Sequence, residues 1–478
     1  MNTSRVLRDF ANATFSCIVC PASFTILIES NDMNTDADIA SYEASSFAVN
    51  ASNLLFDSNG MVVKEDFPAF IHEWWHYIQD VTTISGQNGF YLWMRDIARM
   101  TSITCNGAGK NISVPLPRDV YDEVYSKYRR LYNIFCGRKY EERIENPQVT
   151  DEPTIDPNGI HIDGETRTFA KCRFKINDKE YDLGLLVLQE TNAYYAQKIA
   201  ESYLPGVEFN VPADSLPEYP YKVGDLLFDY YHIGCDIRTR FIITMRAMDT
   251  IQSPAVFLNI LKELSGRCIE YERDRNFILS SISHVADECS HKNDEAINEW
   301  IKDYSNWIND GGHKIFTDSL VWYIAVMGAI EKMKAVYGVD TFESMISKGF
   351  GYLKHIYSCF PAPLIRRGSE VLGQRIIGND KMSQMANNDF ENALVVWFHR
   401  RIYDLLKSES KEDFEKNATC LIYNNGNCPY ISKYKTDKSY DCKTAPWMVV
   451  KGEKQAMCPY AVAAHSLGLW QNDLDINF

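Results

Sequence analysis

Phe67-Pro-Ala-Phe-Ile71-His72-Glu73-Trp74-Trp75-His76-Tyr77-Ile-Gln79-Asp80-Val-Thr-Thr-Ile-Ser85 is an aromatic-rich stretch whose apolar residues recur at helical spacing, and its reading decides the rest of the chain. The pattern predicts a helix over Phe67 to Ser85, with Pro68 in a first turn entered from Asp66 and Gly86 closing it. Residues four apart on a helix are separated by about 40° around the axis and by one turn, so the imidazoles of His72 and His76 reach one point and can share one metal ion. Glu73 follows His72 by about 100°, which brings its carboxylate to the side of such an ion, where a water would sit and a general base is needed. The competing reading is a pair of half-buried histidines satisfied by backbone or carboxylate groups, with Glu73 in solvent. The aromatic face formed by Phe67, Phe70, Trp74, Trp75 and Tyr77 favours a site close to a core.

Working outward, further helical periods run over Leu183 to Leu204, Asp236 to Ile251, Ala255 to Leu264, Asp318 to Tyr337 and Phe390 to Leu406, with Pro205-Gly206 closing the first of these. Strand signals are fewer: Thr14 to Glu29, Gly60 to Glu65, and a hairpin made of Phe169 to Ile176, the turn pair Asn177-Asp178, and Lys179 to Asp182. Glu145 to Thr166 and Val207 to Gly224 carry prolines and glycines and read as loops. After about Ser408 the chain turns rich in Lys, Asn, Tyr and Cys and shows little helical period. The expected class is α+β with a helical majority, because the few strands cannot form a large parallel sheet. The expected division is a catalytic core at 1–250 with an insertion at about 106–182, a helical region at 251–407, and a Cys-rich tail at 408–478.

His72-Glu73-x-x-His76 on such a helix resembles the active-site helix of the zincin metallopeptidases. The metzincin branch would continue with Gly at position 79 and His at position 82, where this chain has Gln79 and Thr82, so that branch does not fit. The gluzincin branch takes its third ligand from a Glu on a later helix, and Leu186-Val-Leu-Gln189-Glu190-Thr191-Asn192-Ala193-Tyr194 is similar to that segment. Glu190 stands out without the resemblance as well. Its helical neighbours at three and four positions are Leu186, Val187, Ala193 and Tyr194, so its carboxylate faces the core and requires a partner, either a metal ion or an Arg or Lys. The separation of 114 residues from His76 is long for the branch and makes the intervening loop and hairpin an insertion. His161 and His232 stand as alternative third ligands.

The resemblance implies Zn²⁺, a zincin-like core with a small N-terminal sheet, and hydrolysis of peptide bonds with Glu73 as general base. An oxyanion would be stabilised by a group from just downstream of Glu190, for which Tyr221 and His232 are the choices, with core packing as the plainer reading of each. Asp80, four residues beyond His76, could orient a ligand. The strand at Gly60 to Glu65, just before the helix, would align an extended substrate. Cys420, Cys428, Cys442 and Cys458 could hold a second, structural zinc or an iron–sulfur cluster, with His465 as a further ligand and ordinary thiols as the alternative. Cys17-Ile-Val-Cys20 lies in a strand pattern that turns the two thiols to opposite faces, so it reads as structural.

Charge and composition bound the partners. The chain has 478 residues with 49 Lys plus Arg against 64 Asp plus Glu, a formal charge of −15, which makes nucleic acid a poor main partner. No run of about 18 apolar residues is present, so no membrane span is expected, and polar residues interrupt the apolar stretch at Phe10 to Ile28 that would otherwise suggest a signal peptide. Thirteen scattered cysteines suit reduced thiols in the cytoplasm. The expected partner is a protein or peptide substrate of restricted range, with a regulatory protein to restrain the activity. Two other functions remain open: a zincin-like scaffold that binds a partner or senses metal, and a metal hydrolase acting on a non-peptide bond.

Overall fold

The structure is a computed structural model that describes chiefly residues 67–92, 111–116, 141–160, 169–287, 290–309, 401–420, 458–469 and 473–478. It also describes short pieces at 26–28, 41–43, 48–50, 364–367, 370–373 and 445–450, and Glu65, Arg95, Val395, Phe398, His399, Cys428 and Cys442 singly. In chain order the elements are β1 (Ile26–Ile28), β2 (Ser41–Glu43), β3 (Ala48–Asn50), α1 (Phe67–Thr82), β4 (Ile112–Val114), β5 (Thr154–Ile160), β6 (Phe169–Ile176) and β7 (Lys179–Leu183). They continue with α2 (Leu185–Ser202), α3 (Val223–Tyr230), α4 (Ile237–Ala247), α5 (Ser253–Leu264), α6 (Tyr271–Asp287) and α7 (Ser290–Asn309). Last come β8 (Leu364–Arg367), β9 (Glu370–Gly373), α8 (Lys411–Ala418), α9 (Pro446–Val450), α10 (Pro459–Ser466) and β10 (Leu474–Ile476). The class is α+β and mostly helical, and among the described residues no helix is long and apolar enough to cross a membrane.

The described side chains of helix α1 are almost all buried. Phe67, Phe70, Ile71, Trp74, Trp75 and Ile78 are buried, and so are the polar His72, Glu73, His76, Gln79 and Asp80 between them. A helix covered all round must be sandwiched. The small sheet supplies one cover through β2 and β3, and α2 supplies the other. In that sheet β8 runs parallel to β1 and β3, β2 is antiparallel to β3, and β9 is antiparallel to β8. Full burial of the two tryptophans and two phenylalanines contributes on the order of 1.5–3 kcal/mol for each such side chain, which anchors the polar residues of the same turns.

Helix α2 is buried along nearly its whole length and packs on α1, α3 and α4. Glycine at 224 permits the contact with α3: a Cβ there would lie 2.4 Å from the Tyr195 hydroxyl and 2.5 Å from Thr191 Cγ2. Gly224→Ala is therefore expected to destabilise the protein by about 1–3 kcal/mol, as overpacked cores do, read as a lowered urea midpoint. An unchanged midpoint would show that α3 can shift without cost.

The 169–183 hairpin forms as read, and Asn177 and Asp178 take φ of 48° and 65°, the left-handed pair of a tight two-residue turn. Several expectations need correction. Glu145 to Thr166 is not all loop: β5 lies within it and pairs antiparallel with β6, with an irregular register between Asp156 and Ile160. Pro157 sits at that irregularity on a strand paired along one edge, where its missing N–H costs nothing. Gly86 does not close α1. The helix stops at Thr82, and residues 84–92 are helical again. At the break the Thr83 hydroxyl donates to Gln79 O and accepts from Gly86 N–H. The loop at Val207 to Gly224 contains a short 3₁₀ turn, Ala213–Ser215.

The tail is also more helical than its composition suggests. Ser410 caps α8 by accepting from Asp413 N–H, while α9 and α10 each begin at a proline, the residue suited to a first helical position. Helices this short have too few turns to show a period. The strand expected at Gly60 to Glu65 lies outside the described residues except for Glu65, which is in a turn. The Cys17/Cys20 pair and the helix expected at Asp318 to Tyr337 lie outside them altogether, as does Thr14 to Glu29 apart from β1.

Candidate metal centre

Two helices meet at one carboxylate. His72 Nε2 lies 3.2 Å and His76 Nε2 3.1 Å from the same oxygen, Oε2 of Glu190, and all three side chains are buried. The imidazole centroids are 5.0 Å apart with the rings nearly perpendicular, so the two Nε2 atoms converge without stacking. This is the group of His, Cys, Asp and Glu side chains among the described residues whose ligand atoms all lie within 4.8 Å of one another. Ligands held tetrahedrally at about 2.0–2.1 Å from a zinc ion stand about 3.3–3.4 Å apart. The observed spacing therefore fits a small divalent cation, and the donor set of two imidazoles and one carboxylate suits zinc.

The two histidines differ electrostatically. Burial lowers the His72 pKa, and the neighbouring His76 adds to that, outweighing the hydrogen bond to Glu190 and the charge of that carboxylate. Burial works the same way on His76, but the charge and hydrogen bond of Glu190 and the charge of Glu73 overcome it, so its pKa is raised above 6.5. A protonated imidazole cannot bind a metal, so acidification through the raised His76 value is expected to weaken zinc affinity by about tenfold per pH unit. His72, already neutral there, adds nothing to that slope. Below the His76 value, uptake of one zinc should release about one proton, measured by titrating zinc into weakly buffered protein. Zinc uptake with no proton release at pH 6.5 would contradict the assignment.

Glu73 is buried beside these ligands, close enough for its charge to act on both His76 and the hydroxyl of Tyr221. Tyr221 lies on the approach to α3, its ring centroid 5.6 Å from that of His72, and its hydroxyl donates to Glu141 Oε1 at 2.8 Å. The preceding residue is tied to α2, because the Thr191 hydroxyl donates to Pro220 O at 3.2 Å. Burial, then the charges of Glu190, Glu141 and Glu73, push the Tyr221 pKa far upward, so the phenol stays protonated and remains a donor.

Other expected residues fall elsewhere. His232 is exposed, in a left-handed turn with φ of 53° beyond the end of α3, and that helix separates it from Tyr221 by about 12 Å of axis. The structure therefore brings Tyr221 to the triad and leaves His232 outside it, both as oxyanion donor and as third ligand. His161 lies outside the described residues. Asp80, the residue expected to orient a ligand, bonds to the neighbouring helix α2. Its Oδ1 accepts from Gln189 Nε2 at 2.7 Å, while the residue before it, Gln79, reaches His76 Nδ1 at 3.0 Å. Positions three along a helix share a face as those four along do, and here the shorter step wins.

Cys420 is buried, and Cys428, Cys442 and Cys458 are partly so; Cys458 caps α10 by accepting from Ala461 N–H at 3.4 Å. Cys420, Cys458 and Cys442 all lie near enough to act electrostatically on the hydroxyl of Tyr460, and among the described residues the cysteines form no group of three ligand atoms as close as the triad. Sequence reading missed Gln79, Asn192 and Glu141. A signal for the first two did exist, in the unbroken polar run Gln189 to Asn192 between the apolar stretches Leu185 to Leu188 and Ala193 to Ala196, and in the polar Gln79 on a helix facing it.

Comparison of the chain with known protein families, with curated proteins and with solved structures finds no match.

Proposed function

We propose that this chain is a zinc-dependent peptidase of restricted specificity, built on a zincin-like pairing of α1 with α2. The observation that carries the reading is the convergence of His72 and His76 on one oxygen of Glu190 inside a buried interface. A structural pair of histidines would need only one hydrogen-bond partner each. Here the two turn the same nitrogen to the same point, which is the arrangement a cation needs.

His72, His76 and Glu190 would hold the ion. When bound, it would polarise the substrate carbonyl and make a water molecule acidic enough to attack near neutral pH. The remaining chemistry belongs to the chain. Glu73 takes the proton of the attacking water as oxygen bonds to the carbonyl carbon, then passes it to the amide nitrogen as the C–N bond breaks and the amine leaves. Tyr221, kept protonated by its surroundings, turns its hydroxyl from Glu141 to the carbonyl oxygen as negative charge collects there. Its ring, set against His72, keeps the hydroxyl close to the ligands throughout.

The test is a proteome-derived peptide library incubated with the zinc-loaded protein, with new N-termini read by mass spectrometry. Reproducible cleavages that vanish with a chelator and return with zinc are expected. An absence of cleavage by protein with full zinc occupancy would instead favour the scaffold reading. Tyr221→Phe should then lower kcat by roughly 10²–10³-fold with KM little changed, the cost of losing one oxyanion donor. A change confined to KM would make Tyr221 a binding residue.

A further inference from the structure

Behind His76 lies a set of hydrogen bonds whose directions are all determined. The indole N–H of Trp75 can only donate, and it meets Asn192 Oδ1 at 2.8 Å, which identifies that atom as the amide oxygen. The opposite atom, Nδ2, faces the carbonyl of Phe241 at 2.8 Å and the hydroxyl of Thr244 at 2.7 Å, in agreement. Gln79 Nε2 faces Asn192 Oδ1 at 3.0 Å and the carbonyl of Gln189 at 3.0 Å, two acceptors that mark it as the amide nitrogen. Gln79 Oε1 is thereby turned to His76 Nδ1 at 3.0 Å. A carbonyl oxygen can only accept, so Nδ1 carries the hydrogen and Nε2, facing Glu190 at 3.1 Å, is the nitrogen given to the ion.

Gln79, Asn192 and Thr244 are fully buried, so no water competes for these atoms. The series starts on α4, crosses α2 at Asn192 and ends on α1 at His76. We infer that Gln79, held in one orientation by Asn192, is a positioning residue that locks His76 in the tautomer and ring setting a metal ligand requires. The inference rests on the metal-centre reading above and adds what makes one of the two histidines a pre-set ligand.

Three variants test it, each assayed by chelator competition for zinc. Gln79→Met keeps the shape and removes the acceptor, and should weaken zinc binding roughly 10- to 100-fold, the usual cost of losing such a partner. Gln79→Glu keeps an oxygen for the Nδ1 proton, and should bind zinc within about threefold of wild type or tighter, whatever it loses in folding stability. Trp75→Phe removes a different donor from the same Asn192 oxygen and should leave zinc affinity within about threefold of wild type, although it disturbs the same packing. Wild-type affinity in Gln79→Met overturns the inference. So does an equal loss in Trp75→Phe, which would mean that general loosening is the cause, or a tenfold loss in Gln79→Glu, which decides the matter alone if Gln79→Met does not fold. If wild type itself takes up no zinc, the metal-centre reading fails instead, so the two failures are distinct.

Discussion

Glu73→Gln is expected to reduce kcat/KM on a library-derived peptide by about 10²–10⁴-fold, the range over which a positioned general base acts, while zinc stoichiometry stays at the wild-type value. The substitution conserves volume and keeps hydrogen-bonding capacity in a buried position, so the fold should survive. What it removes is the basic oxygen that takes the proton from water. It also removes a charge that helps raise the His76 pKa. The pH below which zinc is lost should accordingly move down in this variant, a second readout that does not depend on turnover. Activity within tenfold of wild type would eliminate Glu73 as the base and leave the proposed proton path without an acceptor.

Glu190→Ala carries the second large effect. Structural zinc sites with four ligands bind with roughly 10–16 kcal/mol, or about 2.5–4 kcal/mol per ligand, so loss of one should weaken zinc by about 10²–10³-fold. Here the lost group is the oxygen on which both histidines converge. Its absence also removes the main influence that raises the His76 pKa, and burial should then push that imidazole down. The variant should therefore bind zinc weakly at every pH, with little proton release. Chelator competition measures the first effect and weakly buffered titration the second. Undiminished affinity in folded Glu190→Ala would assign the third ligand elsewhere, and His161 would be the first residue to examine.

The parts of this arrangement legible in the sequence are those written in short-range spacing. His72 and His76 share a face because of helical geometry, and Glu190 betrays itself as a carboxylate among Val187, Ala193 and Tyr194, all of which are buried in the structure. The Asn177-Asp178 turn is equally local. What the sequence conceals depends on contacts between distant segments. Nothing in Glu145 to Thr166 says that Thr154–Ile160 will find an edge on β6, because the proline that marks a loop is also tolerated at a bulge. The Gln79 to Asn192 bond joins residues 113 positions apart. Helical spacing alone offers Asp80 and Gln79 equal access to His76; that Gln79 Oε1 meets His76 Nδ1 while Asp80 accepts from Gln189 depends on the position of α2. His232 failed for a related reason. Nearness to Tyr221 in the chain is spent along α3, which carries the intervening residues away from the triad.

X-ray absorption at the zinc edge of the wild-type protein, loaded with one equivalent of zinc, tests the central claim most directly. The account predicts a first shell of nitrogen and oxygen at about 2.0–2.1 Å, with the outer-shell scattering of two imidazoles and no sulfur. A sulfur shell at about 2.3 Å would place the zinc on cysteines instead, and failure to retain zinc at all would reduce His72, His76 and Glu190 to a packing contact between two buried helices.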